Sequence, residues 1–159
     1  MFRSRGFTLI ELMIVLVVAG IVLTIGLPAF SNYRNDLRLR QARQQLLEDV
    51  RMARQDAVTR RAPVFIRFGT SSATTGLTSY QVHIDSNGNG VYDTGERRWL
   101  RNLPASTSLS ATLAPQDTLG FDISGILLPG TGGGTLILLN AKNRRDTLLV
   151  STAGIVYKP

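Results

Sequence analysis

The chain has no cysteine and a single histidine, His83. Without thiols there is no disulfide, no thiolate metal centre and no cysteine nucleophile. A hydrolytic metal site usually needs two or more well-placed histidines or carboxylates. His83 stands in SYQVHI, a strand-like stretch with no nucleophile–base pattern, so a half-exposed sheet position is expected and catalysis is not. The glycine-rich stretch PGTGGG (129–134) lacks the Lys-Ser/Thr of a phosphate loop, and strand-like rather than helical sequence follows it. This reads as a flexible loop, and a nucleotide or other small-molecule substrate is not expected. Acids are scarce, 11 against 18 Lys and Arg, for a net charge of +7. Such an excess suits an anionic lipid surface, nucleic acid or an acidic partner. There are no internal repeats. Residues 12–30 carry no charge, and residues 31–61 contain neither proline nor glycine.

The uncharged run LMIVLVVAGIVLTIGLPAF makes a helix about 28 Å long, close to the thickness of a bilayer's hydrocarbon core. It exceeds the 7–15 apolar residues, roughly, of a secretory signal, and PAFSN is a poor cleavage site. A membrane segment is therefore expected. Arg3 and Arg5 precede it and favour a cytoplasmic N-terminus, with the bulk of the chain outside.

Glu11 sits one turn into the apolar stretch, four residues after Phe7. A carboxylate in hydrocarbon costs several kcal/mol unless it is paired, hydrated or protonated. Cleavage between Gly6 and Phe7 would create an α-amine at the edge of the run, able to be positive near neutral pH. Pairing of that amine with Glu11 of a neighbouring copy would relieve both charges and set the register of a helical bundle.

The stretch RGFTLIELM resembles the class III signal of type IV pilins and type II secretion pseudopilins. The resemblance implies cleavage after Gly6 by a prepilin peptidase, N-methylation of Phe7, and use of Glu11 in assembly. Loss of Arg3 and Arg5 with the leader would lower the net charge from +7 to +5. Gly20, Gly26 and Pro28 resemble the positions where the family's helix bends or melts within the filament; proline removes a helical hydrogen bond. The implied partners are other pilins, the peptidase and an inner-membrane assembly platform. The implied location is the bacterial inner membrane, with a periplasmic head, followed by a pilus or pseudopilus.

Beyond the run, Leu39, Ala42, Leu46, Val50, Ala53 and Ala57 fall within an arc of about 80° of a helix, one apolar stripe able to lie on a folded domain. Arg-Ala-Pro at 61–63 ends the helix near Thr59, because the residue before proline avoids helical geometry. Arg40, Arg43, Arg51, Arg54 and Arg61 share a second arc of about 80°, either a polyanion face or a solvated flank. The stretch ARQDAVTRRAPVFIRF is similar to the FimT/GspH subgroup at Ala53, Arg54, Ala57, Val58, Arg60 and Val64, and FDISG (121–125) and VSTAG (150–154) extend the similarity weakly into the head.

After Pro63 the pattern becomes strand-like at 64–68, 79–84, 97–103, 108–113, 135–139, 147–151 and 155–158. The expected fold is α+β, a long N-terminal helix followed by one antiparallel β head of about six to eight strands. The expected organisation is a leader over 1–6, an assembly helix over 7–30, its amphipathic continuation over 31–61, and the β head over 62–159.

DSNGNGVYDTGE (85–96) matches a calcium-loop pattern at each specified position. Asp85, Asn87, Asn89, the Val91 carbonyl, Asp93 and Glu96 would supply oxygens, with Gly90 at the sharp turn. The flanks read as strands rather than helices, so a polar turn with Asn-Gly at positive φ is the other reading. FimT minor pilins bind DNA through a basic C-terminal G-R-x-R motif. Here Gly154 stands, but Ile155 and Tyr157 replace the two arginines and Lys158 follows. Lys142, Arg144 and Arg145 would compensate, since phosphate contacts need positive charge more than one set sequence; the same residues also read as a solvated turn. The sequence thus supports a minor pilin contributing to pilus assembly and to DNA binding and uptake, with a secretion pseudopilin that binds no DNA as the alternative.

Overall fold

A computed structural model of the protein describes residues 7–69, 75–113 and 117–159. The expected leader, residues 1–6 with Gly6, lies outside them. The element order is α1 (Leu9–Arg60), β1 (Val64–Arg67), β2 (Ser79–Ile84), β3 (Arg98–Asn102), β4 (Thr107–Leu113), β5 (Thr118–Phe121), β6 (Gly134–Asn140), β7 (Arg145–Val150) and β8 (Val156–Tyr157). The chain divides into two compact units, the first ending at Arg34 and the second being Asn35–Pro159.

In the first unit the described side chains from Leu12 to Phe30 are all exposed, an untenable state in water that lipid or neighbouring helices relieve. The helix passes through Gly20, Gly26 and Pro28 without interruption, so a break there is not a property of the isolated chain. Pro28 still lacks the N–H that would bond the carbonyl one turn back.

In the second unit the helix ends at Arg60, one residue beyond the expected end. Arg61 takes a left-handed φ of 51°, as helix-terminating residues do. All six stripe residues, Leu39 to Ala57, are buried. They share one core with the inward faces of two four-stranded antiparallel sheets, ordered β3-β2-β1-β5 and β4-β6-β7-β8. The expected antiparallel β head is thus built of two sheets. Alternation of apolar residues tells which face of a strand is buried but not which strand lies beside it. β1 pairs with β5, more than fifty residues away, in the register Val64↔Phe121.

β5, the one strand absent from the expectation, is buried at all four positions and contains Gly120, so it shows neither alternation nor β-branched enrichment. Gly120 is there because a Cβ would lie 2.7 Å from the Phe65 ring. At the start of β6, Gly134 has φ 151° and a Cβ would stand 2.1 Å from the Thr112 carbonyl oxygen, so the glycine-rich loop serves close β4–β6 pairing. Gly134→Ala is expected to destabilise the second unit by about 2 kcal/mol, the loop absorbing part of the clash; an unchanged thermal midpoint would contradict this.

His83 is buried rather than half-exposed. It lies on the face of β2 opposite Tyr80 and Val82, but the 85–96 loop folds over that face. The His83 ring stacks on Phe65 at 5.1 Å and meets Tyr92 edge-on at 6.2 Å, and Arg98 lies 4.3 Å over the Tyr92 ring. Burial first, then the Arg67 charge, lowers the His83 pKa, with Glu96 and Asp85 opposing.

Candidate functional site

The helix begins with a capping box. The Thr8 backbone N–H and hydroxyl donate to Glu11 Oε2 at 3.0 and 2.9 Å, while the Glu11 N–H donates to Thr8 Oγ1 at 3.3 Å. The sequence signal for this cap is the Thr-x-x-Glu spacing of Thr8 and Glu11. In the single chain Glu11 thus satisfies its own helix N-terminus. Phe7, beside it, is 75% exposed.

The second feature joins parts of the chain more than a hundred residues apart. Asp146, buried on β7, pairs with Arg43 of α1 at 3.0 Å and with Lys158 at 3.1 Å. Asp36 of α1 pairs with Arg144 on the β6–β7 turn. The turn is shaped by Asn140, whose side-chain oxygen accepts the N–H groups of Lys142 and Arg144 at 2.9 and 3.0 Å. The result is a groove of about 350 Å³, to which Arg40 and Arg145 also contribute. Of the basic residues expected to face DNA, Arg144, Arg145 and Lys158 line this groove, and Lys142 does not. The sequence placed Arg40 and Arg43 on a helix flank but could not show that the flank meets the hairpin. Residues 35–159 carry fifteen Lys and Arg against ten Asp and Glu, a net +5.

Within the 85–96 loop, Asp85 accepts the N–H groups of Gly88, Asn89 and Gly90 at 2.7–3.2 Å. Glu96 accepts those of Ser86 at 2.7 Å and Asp93 at 3.1 Å. The Asn87 and Asn89 amide nitrogens both donate to Asp93 Oδ2, at 2.7 and 2.6 Å, and their oxygens accept the N–H groups of Asn89 and Val91. The hard oxygens that calcium favours are present. As arranged, two of the six positions turn nitrogen inward, and the carboxylates are engaged by N–H donors. Gly88 and Gly90 take the positive φ that this turn requires.

Comparison with known proteins agrees with both units. The sequence model of the family described as type II transport protein GspH matches residues 42–154, and that of the prokaryotic N-terminal methylation motif matches residues 1–27. The pilin-like protein PilA1 of Thermus thermophilus is 40% identical over 92 residues, 58% of this chain. The match spans only 55% of that relative's length. Among solved structures, the type IV minor pilin FimU of Pseudomonas aeruginosa (strain PAO1) shares the fold in two crystal forms. The TM-scores are 0.55 and 0.51, each at 18% identity, covering 80% and 76% of this chain and 92% and 91% of the other. The helix with its lone acid, the two-sheet head and the matched families lead to one conclusion: the chain belongs to the family of the type II transport protein GspH, carries the prokaryotic N-terminal methylation motif, and is membrane-anchored by its N-terminal helix.

Proposed function

We propose that this chain is a minor subunit of a type IV pilus. It is cut after Gly6, methylated on Phe7, stored in the inner membrane with a periplasmic head, and drawn into the filament when Glu11 pairs with a neighbour's N-terminal amine. The observation that carries this reading is an apolar helical run, exposed at its described residues from Leu12 to Phe30, with one acid, Glu11, four residues after Phe7. In the filament the helix loosens around Gly20, Gly26 and Pro28, where the missing proline N–H weakens it. Peptide mass mapping of protein taken from membranes tests the processing. The expected N-terminus is methylated Phe7, and a chain that keeps residues 1–6 would end the reading.

The alternative is a GspH-like pseudopilin that exports proteins without touching DNA. The basic groove supports the pilus reading, in which DNA is the partner of the head. Titration of the full chain in non-ionic detergent against a labelled duplex is expected to show binding that weakens steeply with salt, through counterion release. Absence of binding at low salt would favour the secretion role.

For the 85–96 loop, the closed hydrogen-bond set supports a turn that needs no metal. Melting in millimolar calcium and in chelator is expected to give the same midpoint. A higher midpoint with calcium would show that the Asn87 and Asn89 amides rotate to present oxygen, since a ligand of the native state stabilises it.

A further inference from the structure

We propose that the head holds nucleic acid along a track of arginines that begins in the groove between α1 and the β6–β7 turn and continues on the flank of α1 to Arg54; this rests on the DNA reading above. In the groove, Asp146 and Asp36 fix Arg43, Lys158 and Arg144 in place and offset much of their charge. Arg40 and Arg145 are exposed and form no ion pair among the described residues. Arg51 and Arg54 are likewise exposed and unpaired among the described residues. At 100° per residue Arg40, Arg51 and Arg54 fall within about 60° of one another.

Length decides the class of ligand. From Arg40 to Arg54 the helix rises about 21 Å. A lone phosphate or one acidic side chain would occupy a single end of that track. A duplex strand carries one charge per ~3.4 Å of axis, so it runs the length and places several phosphates beside it. Guanidinium forks suit phosphate oxygens, which they grip in pairs. Lys142 stands outside the groove and takes no part.

The test uses the full chain in non-ionic detergent and fluorescence anisotropy with a short labelled duplex at several salt concentrations. The triple variant Arg40→Ala, Arg54→Ala, Arg145→Ala is expected to bind at least about ten-fold more weakly, with the salt slope reduced by about 2 to 3. Lys142→Ala is expected to stay within about two-fold of the parent. None of these side chains is buried, so thermal midpoints should match and a folding defect would be visible as a shifted one. If the parent chain does not bind, the DNA reading itself fails. If the parent binds and the triple variant binds equally well, the track is wrong while the DNA reading stands. Displacement of the duplex by poly-glutamate at equal charge would overturn the assignment to phosphate.

Discussion

Glu11→Ala is expected to leave cleavage after Gly6 intact and to cut incorporation into sheared filaments by about ten-fold or more. In the assembled bundle a neighbour's N-terminal amine would lose the carboxylate that offsets its burial, and an unpaired charge in hydrocarbon costs about 2–3 kcal/mol or more. About 1.4 kcal/mol already corresponds to a factor of ten. Alanine also removes the reciprocal half of the capping box with Thr8. Glu11→Gln separates the two effects, because glutamine keeps the reciprocal cap and lacks the charge. Filament incorporation of Glu11→Gln at the parental level would refute pairing between subunits and leave Glu11 a local cap.

Asp49→Ala is expected to destabilise the second unit by about 3 kcal/mol. Asp49 lies on α1, 4% exposed. It accepts the Tyr80 hydroxyl at 2.6 Å and pairs with Arg101 of β3 at 3.1 Å, tying helix to sheet. Burial, then the Asp49 hydrogen bond and charge, raise the Tyr80 pKa far above a phenol's ordinary value, so the hydroxyl remains a donor. Removing the carboxylate takes away the acceptor of a fully buried hydroxyl, toward which the Gln45 amide nitrogen at 3.5 Å is itself a donor. An unsatisfied buried group costs about 1–3 kcal/mol by itself. Arg101 is 39% exposed at its side chain and turns to water, which softens the loss. In a unit of this size the thermal midpoint should fall by about 10 °C. Adding Tyr80→Phe removes the stranded donor, so the double variant should lose less than the two single losses added together. Strict additivity would show that the hydrogen bond carries no coupling.

Features encoded by near neighbours were legible in the sequence. The apolar run, the acid at Glu11, the buried stripe from Leu39 to Ala57 and the end of the helix before Pro63 each depend on residues within one or two turns. Seven of the eight strands were visible for the same reason: alternation is local. β5 was hidden because its environment, not its own pattern, makes it a strand. It is buried on both faces, with Gly120 kept small by Phe65.

The amino-acid order by itself therefore determined the membrane helix, its charge problem, the amphipathic continuation and the β character of the head. Only the tertiary structure decided that there are two sheets, that His83 is covered by the 85–96 loop, that Asn87 and Asn89 turn nitrogen toward Asp93, and that Asp146 meets both Arg43 and Lys158. Periodicity and propensity are properties of a short segment. Pairing partners, burial from above and charge neighbours are set by segments as distant as Arg43 and Asp146, which chain spacing alone does not bring together.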